Sequence, residues 1–319
     1  MRQRSPSRVV GSPFRAGGRR RPRRKRRRPR RTPKPRPRRR HPRRRRRRRE
    51  QRPKTPHWKA RVAYDGTSYA GFQVQANART VQGELERALS HVCDEAVRVT
   101  GAGRTDAGVH ASGQVIDFRT ASALDGVTIG RGVNALLPED IAVSALEPAA
   151  EDFHARFSAT GRTYEYRIRH APERDPLERR RELQIAGPLD LAAMRDASAL
   201  LVGRRDFSSF AAGPGGVRSV RRAEWCQPGT SQLRFEVEAD AFLRGMVRAI
   251  VGTLLWVGRG KIDVPGFERI VAANDRARAG PSAPANGLCL IAVEYRQDAA
   301  NAASEEGLQG IPPLREEDE

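Results

Sequence analysis

The sequence has few cysteines and no long apolar run, and each shortage excludes a class of protein. Its 319 residues include three cysteines without a C-x-x-C pair, so neither a disulfide framework nor a cysteine-rich zinc site is predicted. The longest apolar run, residues 249–258, is too short for a membrane span, which requires roughly 20 residues. No apolar segment follows the basic N-terminus, which argues against a secretory signal. We therefore expect a cytoplasmic protein with no membrane partner.

Acidic residues are almost absent from the first 54 positions, where Glu50 is the only acid among 29 lysines and arginines. The chain as a whole has a net charge of +24, and this segment accounts for all of the excess, because the other residues carry a net charge of −4. Ten of the 22 prolines lie in the first 56 residues. This composition prevents helix formation and keeps the chain extended, so residues 1–55 are predicted to be a disordered Arg/Pro-rich tail.

The sequence allows three interpretations of this tail. It is suited to binding a polyanion, because arginines release the counterions condensed on phosphate. An organellar transit peptide is disfavoured, since so much proline spoils an amphipathic helix. A misplaced start codon is a third interpretation, although no methionine occurs between Met1 and Met194. At the other end, residues 298–319 are predicted to be an acidic, solvated tail.

The intervening residues show two successive series of strand and helix patterns. Thr80 can cap a helix, because apolar residues recur after it at helical spacing: Val81, Leu85, Ala88, Leu89 and Val92. Tyr164, Tyr166 and Ile168 alternate with charged residues, which is typical of a half-buried strand. Other strands are predicted at 58–64, 97–100, 114–119, 141–146, 217–226, 233–237 and 288–295, and other helices at 126–137, 191–201, 246–256 and from residue 265.

Two mixtures of strands and helices indicate the α+β class with a mainly antiparallel sheet. We predict an N-terminal α/β domain at residues 56–160 and a C-terminal α/β domain at residues 161–297. No repeat is visible in the letters of the sequence, only a similar order of elements.

The most informative segment is the glycine-rich stretch at residues 101–111, Gly-Ala-Gly-Arg-Thr-Asp-Ala-Gly-Val-His-Ala. It fails as a phosphate-binding loop, because Asp106 occupies the last glycine of G-x-G-x-x-G, and Val109-His110 replace the Lys-Ser/Thr of a Walker motif. What remains is a carboxylate between glycines, two positions after Arg104. That arginine would favour the ionised carboxylate and is able to bind a phosphate. An ionised aspartate on a rigid loop can act as a nucleophile, but a turn aspartate paired with an arginine explains the same letters.

Residues 103–111 resemble the signature of the tRNA pseudouridine synthase A family. Further blocks agree in the same order, at residues 64–67, 71–73, 132–138, 153–159, 242–248 and 287–290, so the resemblance extends from about residue 58 to residue 295. The chain departs from the family pattern at Phe72, where tryptophan is frequent, and at Arg244-Gly245, where His-His is frequent. The second departure is expected to alter RNA contacts.

The resemblance implies a cofactor-free isomerase that converts uridine to pseudouridine at positions 38, 39 and 40 of the tRNA anticodon arm. It also implies two α/β domains around one continuous antiparallel sheet (the pseudouridine synthase fold), a homodimer, and a basic cleft for tRNA. Asp106 corresponds to the family's nucleophile, Tyr164 to the tyrosine that stacks on the target base, and Arg248 to an arginine that pairs with the catalytic carboxylate. Arg104 belongs to the same signature and is assigned to the catalytic group.

The residues alone leave rival interpretations open. Tyr164 equally suits an ordinary strand core, and Arg248 needs an anionic partner only if it faces the buried side of its helix. His110 and His154 have no partner at metal-ligand spacing, so structural or RNA-contacting roles are favoured and no metal is predicted. A non-catalytic RNA-binding protein that depends on the arginine tail is the main alternative function. A glycosidase is disfavoured, because no second acid is paired with Asp106.

The predicted basic cleft requires arginines to be concentrated on one face, since residues 55–319 together carry a net charge of −4. Arg104, Arg156, Arg162 and Arg248 are the expected contributors.

Overall fold

The computed structural model of the chain describes residues 55–296, which belong to one compact unit. The tails predicted at residues 1–55 and 298–319 lie outside the described residues, apart from Thr55. Within residues 55–296, no helix is both long enough and apolar enough to cross a membrane.

The first half of the described chain contains strands β1 to β4 and helices α1 and α2. Their bounds are β1 His57–Tyr64, α1 Val81–Cys93, β2 Val99–Gly101, β3 His110–Arg119, α2 Gly126–Leu136 and β4 Ile141–Pro148. Thr80 caps α1 as predicted, because its side chain accepts a hydrogen bond from the backbone N–H of Gly83. Strand β3 begins four residues before the predicted strand, since His110 pairs with Cys289 of a distant strand.

The second half contains six strands and three helices. Their bounds are β5 Ala159–His170, β6 Leu183–Ile185, α3 Leu191–Ala199, β7 Gly203–Asp206, β8 Val217–Gly229, β9 Gln232–Ala239, α4 Met246–Gly258, α5 Val264–Ala273 and β10 Leu288–Tyr295. Strands β6 and β7 were not predicted from the sequence. Strand β6 has only three residues, too few to establish a period, and β7 is a mostly exposed edge strand without apolar residues that pairs with β8 alone.

All ten strands form one sheet in the order β4-β1-β3-β10-β5-β9-β8-β7, with β2 also paired to β3 and β6 to β5. The β3–β10 and β5–β6 pairs are parallel and the others are antiparallel. The α+β class and the continuous, mainly antiparallel sheet are therefore confirmed. Strand β10 lies between the strands of the two halves and joins them. The domain boundary at residue 160 remains a prediction.

The second half of the sheet has one apolar and one charged face. Tyr166 and Ile168 of β5 are buried among the core side chains, as the alternation predicts. On the opposite face Glu165 is buried as well, and its carboxylate lies 2.8 Å from Nε of Arg234. Arg222 and Glu236 form a similar cross-strand ion pair at 2.8 Å. Charge pairing thus lets acidic side chains lie at buried or half-buried positions of the sheet.

Candidate active site

The loop between β2 and β3 carries Asp106 and is held by side chains on both sides. Gln114 of β3 is fully buried, and its amide both accepts from the N–H of Gly103 (3.1 Å) and donates to the carbonyl of Gly103 (2.7 Å). The hydroxyls of Tyr64 and Thr105 form a buried hydrogen bond of 2.8 Å. These contacts fix the backbone on each side of Arg104 and leave the loop little freedom to move.

The blocks at residues 64–67 and 71–73 support this loop from outside, and two glycines make that possible. Gly71 has φ +101°, and a Cβ there would lie 2.8 Å from the carbonyl oxygen of Thr105. The N–H of Phe72 donates to the same carbonyl at 3.1 Å. A Cβ on Gly66 would lie 2.0 Å from the carbonyl oxygen of Val109. Both blocks therefore need glycine because they pack directly on the loop backbone.

Asp106 is contacted by Arg248. Nη1 of Arg248 lies 3.6 Å from the carboxylate, and the two side chains are 23% and 31% exposed, respectively. Arg248 lies in the first turn of α4, and its Nε donates to the carbonyl of Ala283 at 2.7 Å, which orients the guanidinium. No hydrogen bond from the described residues occupies the carboxylate of Asp106, so its oxygens remain accessible in the cleft.

Arg104 does not pair with Asp106, although the sequence analysis expected its charge to favour the ionised carboxylate. Its side chain is exposed at the cleft, and within residues 55–296 it forms no ion pair. Closeness in sequence therefore did not bring these two charges together. Arg248, which is distant in sequence, supplies the contact instead.

Tyr164 lines the cleft from strand β5. Its ring is 8% exposed and meets the ring of Phe242 edge-on, with centroids 5.1 Å apart. Burial raises the pKa of Tyr164, and the carboxylate of Asp106 adds to this effect. The hydroxyl therefore stays protonated at neutral pH, and within the described residues it has no hydrogen-bond partner. The ring thus belongs to the core and also lines the cleft, and its stacking on a base stays a prediction.

Arg162 lies beneath the cleft and does not face solvent. It is 8% exposed, and its two Nη atoms donate to four backbone carbonyls, those of Ala102, Arg156, Ala159 and Asp240, at 2.6–3.2 Å. Burial lowers the pKa of this guanidinium. Its donors are thus used to join the residue before Gly103 to two other chain segments. The expectation that Arg162 is available to bind RNA is corrected to a structural role.

The resulting cleft has a volume of about 630 Å³, which is within the range that holds a small ligand. Asp106 is the only acidic residue of its lining, whereas six arginines contribute to it: Arg104, Arg156, Arg162, Arg218, Arg244 and Arg248. The arginines of a nearly neutral folded part are thus concentrated here, as predicted. Arg218 was not expected, because its position on β8 shows no distinguishing pattern, whereas Arg244 belongs to the departure from the family pattern that was expected to alter RNA contacts.

The two histidines singled out from the sequence have structural contacts. Nδ1 of His110 accepts from the N–H of Gly66 at 3.1 Å, and Nε2 lies 2.7 Å from the carbonyl of Arg180. Nδ1 of His154 lies within hydrogen-bonding distance of the N–H groups of Arg156 and Phe157. Among the described residues, no group of three or more His, Cys, Asp or Glu side chains is arranged to hold a metal ion.

An accessible carboxylate on a held loop, in a cleft lined by six arginines, is the arrangement expected of an enzyme that acts on a polyanion. The family described as tRNA pseudouridine synthase matches residues 60–158 and 197–296. The chain is 48% identical over 241 residues to tRNA pseudouridine synthase A of Chloroflexus aurantiacus, covering 73% of this chain and 87% of that protein. The corresponding proteins of Bacteroides thetaiotaomicron and Neisseria meningitidis serogroup B are 45% and 43% identical, covering 74% and 75% of this chain and 90% and 91% of theirs. The chain belongs to the tRNA pseudouridine synthase family.

Proposed function

We propose that this protein is an isomerase that converts uridine to pseudouridine in tRNA, at positions 38, 39 and 40 of the anticodon arm. The observation that carries the proposal is the accessible carboxylate of Asp106 beside Arg248 in a cleft otherwise lined by arginines. Family membership supplies the reaction and the substrate. The same membership supports a cytoplasmic homodimer, which light scattering tests: a mass of 35.4 kDa would reject the dimer.

The reaction needs a nucleophile and a space in which the base can turn. Asp106 attacks the extruded uridine, at the base or at the ribose, and the C1′–N1 bond breaks. The uracil then rotates, a C1′–C5 bond forms, the bond between Asp106 and the substrate breaks, C5 loses its proton and N1 gains one, so the product is an isomer, the carboxylate is regenerated and no cofactor is consumed. Extrusion from the stack costs roughly a few kcal/mol, and least where the base is unpaired, which favours a loop substrate.

Each remaining site residue has a role consistent with its position. Arg248 orients Asp106, since its own Nε is fixed by the carbonyl of Ala283. Tyr164 stacks on the uracil from the floor of the cleft. Its hydroxyl, protonated at neutral pH, can donate a hydrogen bond to the rotating base but is a poor base itself. Arg104 is exposed at the cleft and free to bind a backbone phosphate.

The test is pseudouridine mapping on an unmodified tRNA transcript by carbodiimide treatment and primer extension. Asp106→Asn should abolish product while tRNA still binds, because asparagine keeps the shape but lacks the anionic nucleophile. Asp196→Asn is the matched control, since it removes an exposed carboxylate of α3 outside the cleft and should leave the activity unchanged.

Three outcomes distinguish the candidate functions. Product at positions 38–40 supports the isomerase. Free uracil would indicate a glycosidase, which generally needs a second acid that the cleft lining lacks. Binding without any product would indicate a non-catalytic RNA-binding protein. Appreciable turnover by Asp106→Asn would remove Asp106 from the mechanism.

A further inference from the structure

Phe157 is an aromatic residue that the fold leaves in solvent. Its side chain is 76% exposed, and it is the only aromatic among the strongly exposed large apolar residues of the described chain. An exposed ring does not contribute the free energy of burial to stability, so the fold itself gives no reason for an aromatic residue at this position. An isolated exposed apolar residue needs no explanation, so the surroundings of Phe157 decide its meaning.

Those surroundings hold the ring in a fixed position. The rings of His154 and Phe157 lie 4.4 Å apart at an angle of 42°, and the guanidinium carbon of Arg156 lies 5.6 Å from the Phe157 centroid. Nδ1 of His154 accepts from the N–H groups of Arg156 (3.2 Å) and Phe157 (3.4 Å). Ser158 closes the turn, because its Oγ accepts from the N–H of His154 and its N–H donates to the carbonyl of His154. The exposed ring is therefore preorganised.

The turn is connected to the catalytic loop. Arg156 lines the cleft, and its guanidinium carbon lies 5.6 Å from the Phe157 centroid, so the ring lies next to the cleft lining. Nη2 of Arg162 donates both to the carbonyl of Arg156 (2.6 Å) and to the carbonyl of Ala102 (3.0 Å), the residue before Gly103. A single buried guanidinium thus sets the position of Phe157 relative to the loop that carries the nucleophile.

We propose that Phe157 and Arg156 form a nucleobase-stacking site at the rim of the cleft. Its ligand is an unpaired base next to the target uridine, with Arg156 near the adjoining phosphate. An aromatic face beside a cation is the combination that binds single-stranded nucleic acid, and stacking accepts any base because each has a π-face. The proposal rests on the proposed function only for the identity of the RNA. A base held here would keep the strand open while the target occupies the cleft.

The test uses an anticodon-arm RNA that carries 2-aminopurine at one loop position at a time. Binding is measured in the Asp106→Asn background, so that RNA affinity is read without turnover. We expect fluorescence quenching at one loop position, and Phe157→Ala should remove it and weaken Kd about 5- to 150-fold, the range expected for the loss of one stacked base. Phe157→Trp should restore both. Leu177→Ala is the matched control, because Leu177 is 89% exposed but does not line the cleft.

The salt dependence separates stacking from charge. Phe157→Ala removes no cation, so the slope of log K against log salt should stay unchanged, whereas Arg156→Gln should make the slope shallower by about 0.7. An unchanged Kd in Phe157→Ala, or a wild-type chain that does not bind the RNA, would overturn the proposal. So would a change of molecular mass in Phe157→Ala, since that would place the ring between two copies of the chain. Quenching without pseudouridine formation by the Asp106-containing chain would leave the stacking site intact and reject the isomerase.

Discussion

Replacing Arg162 by methionine should destabilise the protein far more than replacing any exposed arginine of the same cleft. The side chain donates to four backbone carbonyls from separate segments, and methionine can supply no donor. At about 1 kcal/mol net for each hydrogen bond, the loss amounts to about 4 kcal/mol. Since 1 kcal/mol shifts Tm by about 2–4 °C in a domain of this size, Arg162→Met should lower Tm by about 8–16 °C.

Thermal unfolding followed by circular dichroism measures this change, and Arg156→Met is its matched control. Arg156 lines the same cleft but is exposed, so its loss should weaken RNA binding and leave Tm nearly unchanged. Arg162→Lys should fall between the wild type and Arg162→Met, because lysine keeps the charge but reaches fewer carbonyls. A fall in Tm below about 3 °C in Arg162→Met, or an equal fall in Arg156→Met, would refute the assignment of Arg162 as a structural cation.

Two further predictions concern Tyr164 and Glu95. Tyr164→Phe should leave Tm nearly unchanged, because the hydroxyl has no hydrogen-bond partner within residues 55–296, and should modestly reduce the rate in a single-turnover assay. Tyr164→Leu should lose most of the activity. Normal kinetics in a folded Tyr164→Leu protein would show that the ring serves only the core. Hydrogen bonds from Thr120 and Ala121 lower the pKa of Glu95, so its contribution to stability is present at neutral pH and is lost as the pH falls through the folded-state pKa. Glu95→Gln should therefore lower Tm at pH 7, and the difference from the wild type should shrink in acid; a difference independent of pH would contradict the linkage.

Local patterns predicted the elements that bury one apolar face. The spacing after Thr80 located α1, and the alternation around Tyr166 located β5, because burial of a single face imposes a period on the sequence. The order of the strands could not be predicted in this way, since the pattern of residues 288–295 does not indicate that they pair with both β3 and β5. Such pairing is decided by tertiary packing, which leaves no periodic signal.

The candidate site divides in the same way. The loop glycines and Asp106 were identified from the sequence. The partners of Arg162 were not, because they are backbone carbonyls, which every residue has and which residue identity therefore does not reveal. The role of Gln114 in holding the backbone of Gly103 was not predicted. A glutamine within the apolar strand 114–119 could have indicated it, because a buried amide needs hydrogen-bond partners. The contact of Arg248 with Asp106 followed only from the family resemblance, because the helix pattern does not identify the anion.

The central position of β10 has a consequence for synthesis on the ribosome. Strands β3 and β5 emerge early, yet the strand that separates them, Leu288–Tyr295, is the last of the ten to be translated. Until it emerges, both neighbours present unpaired edges, which are templates for wrong pairing with another chain. A transcript truncated before codon 288 would consequently yield two half-sheets that cannot join. The sheet of the nascent chain is therefore completed only after nearly all of the folded region has been made.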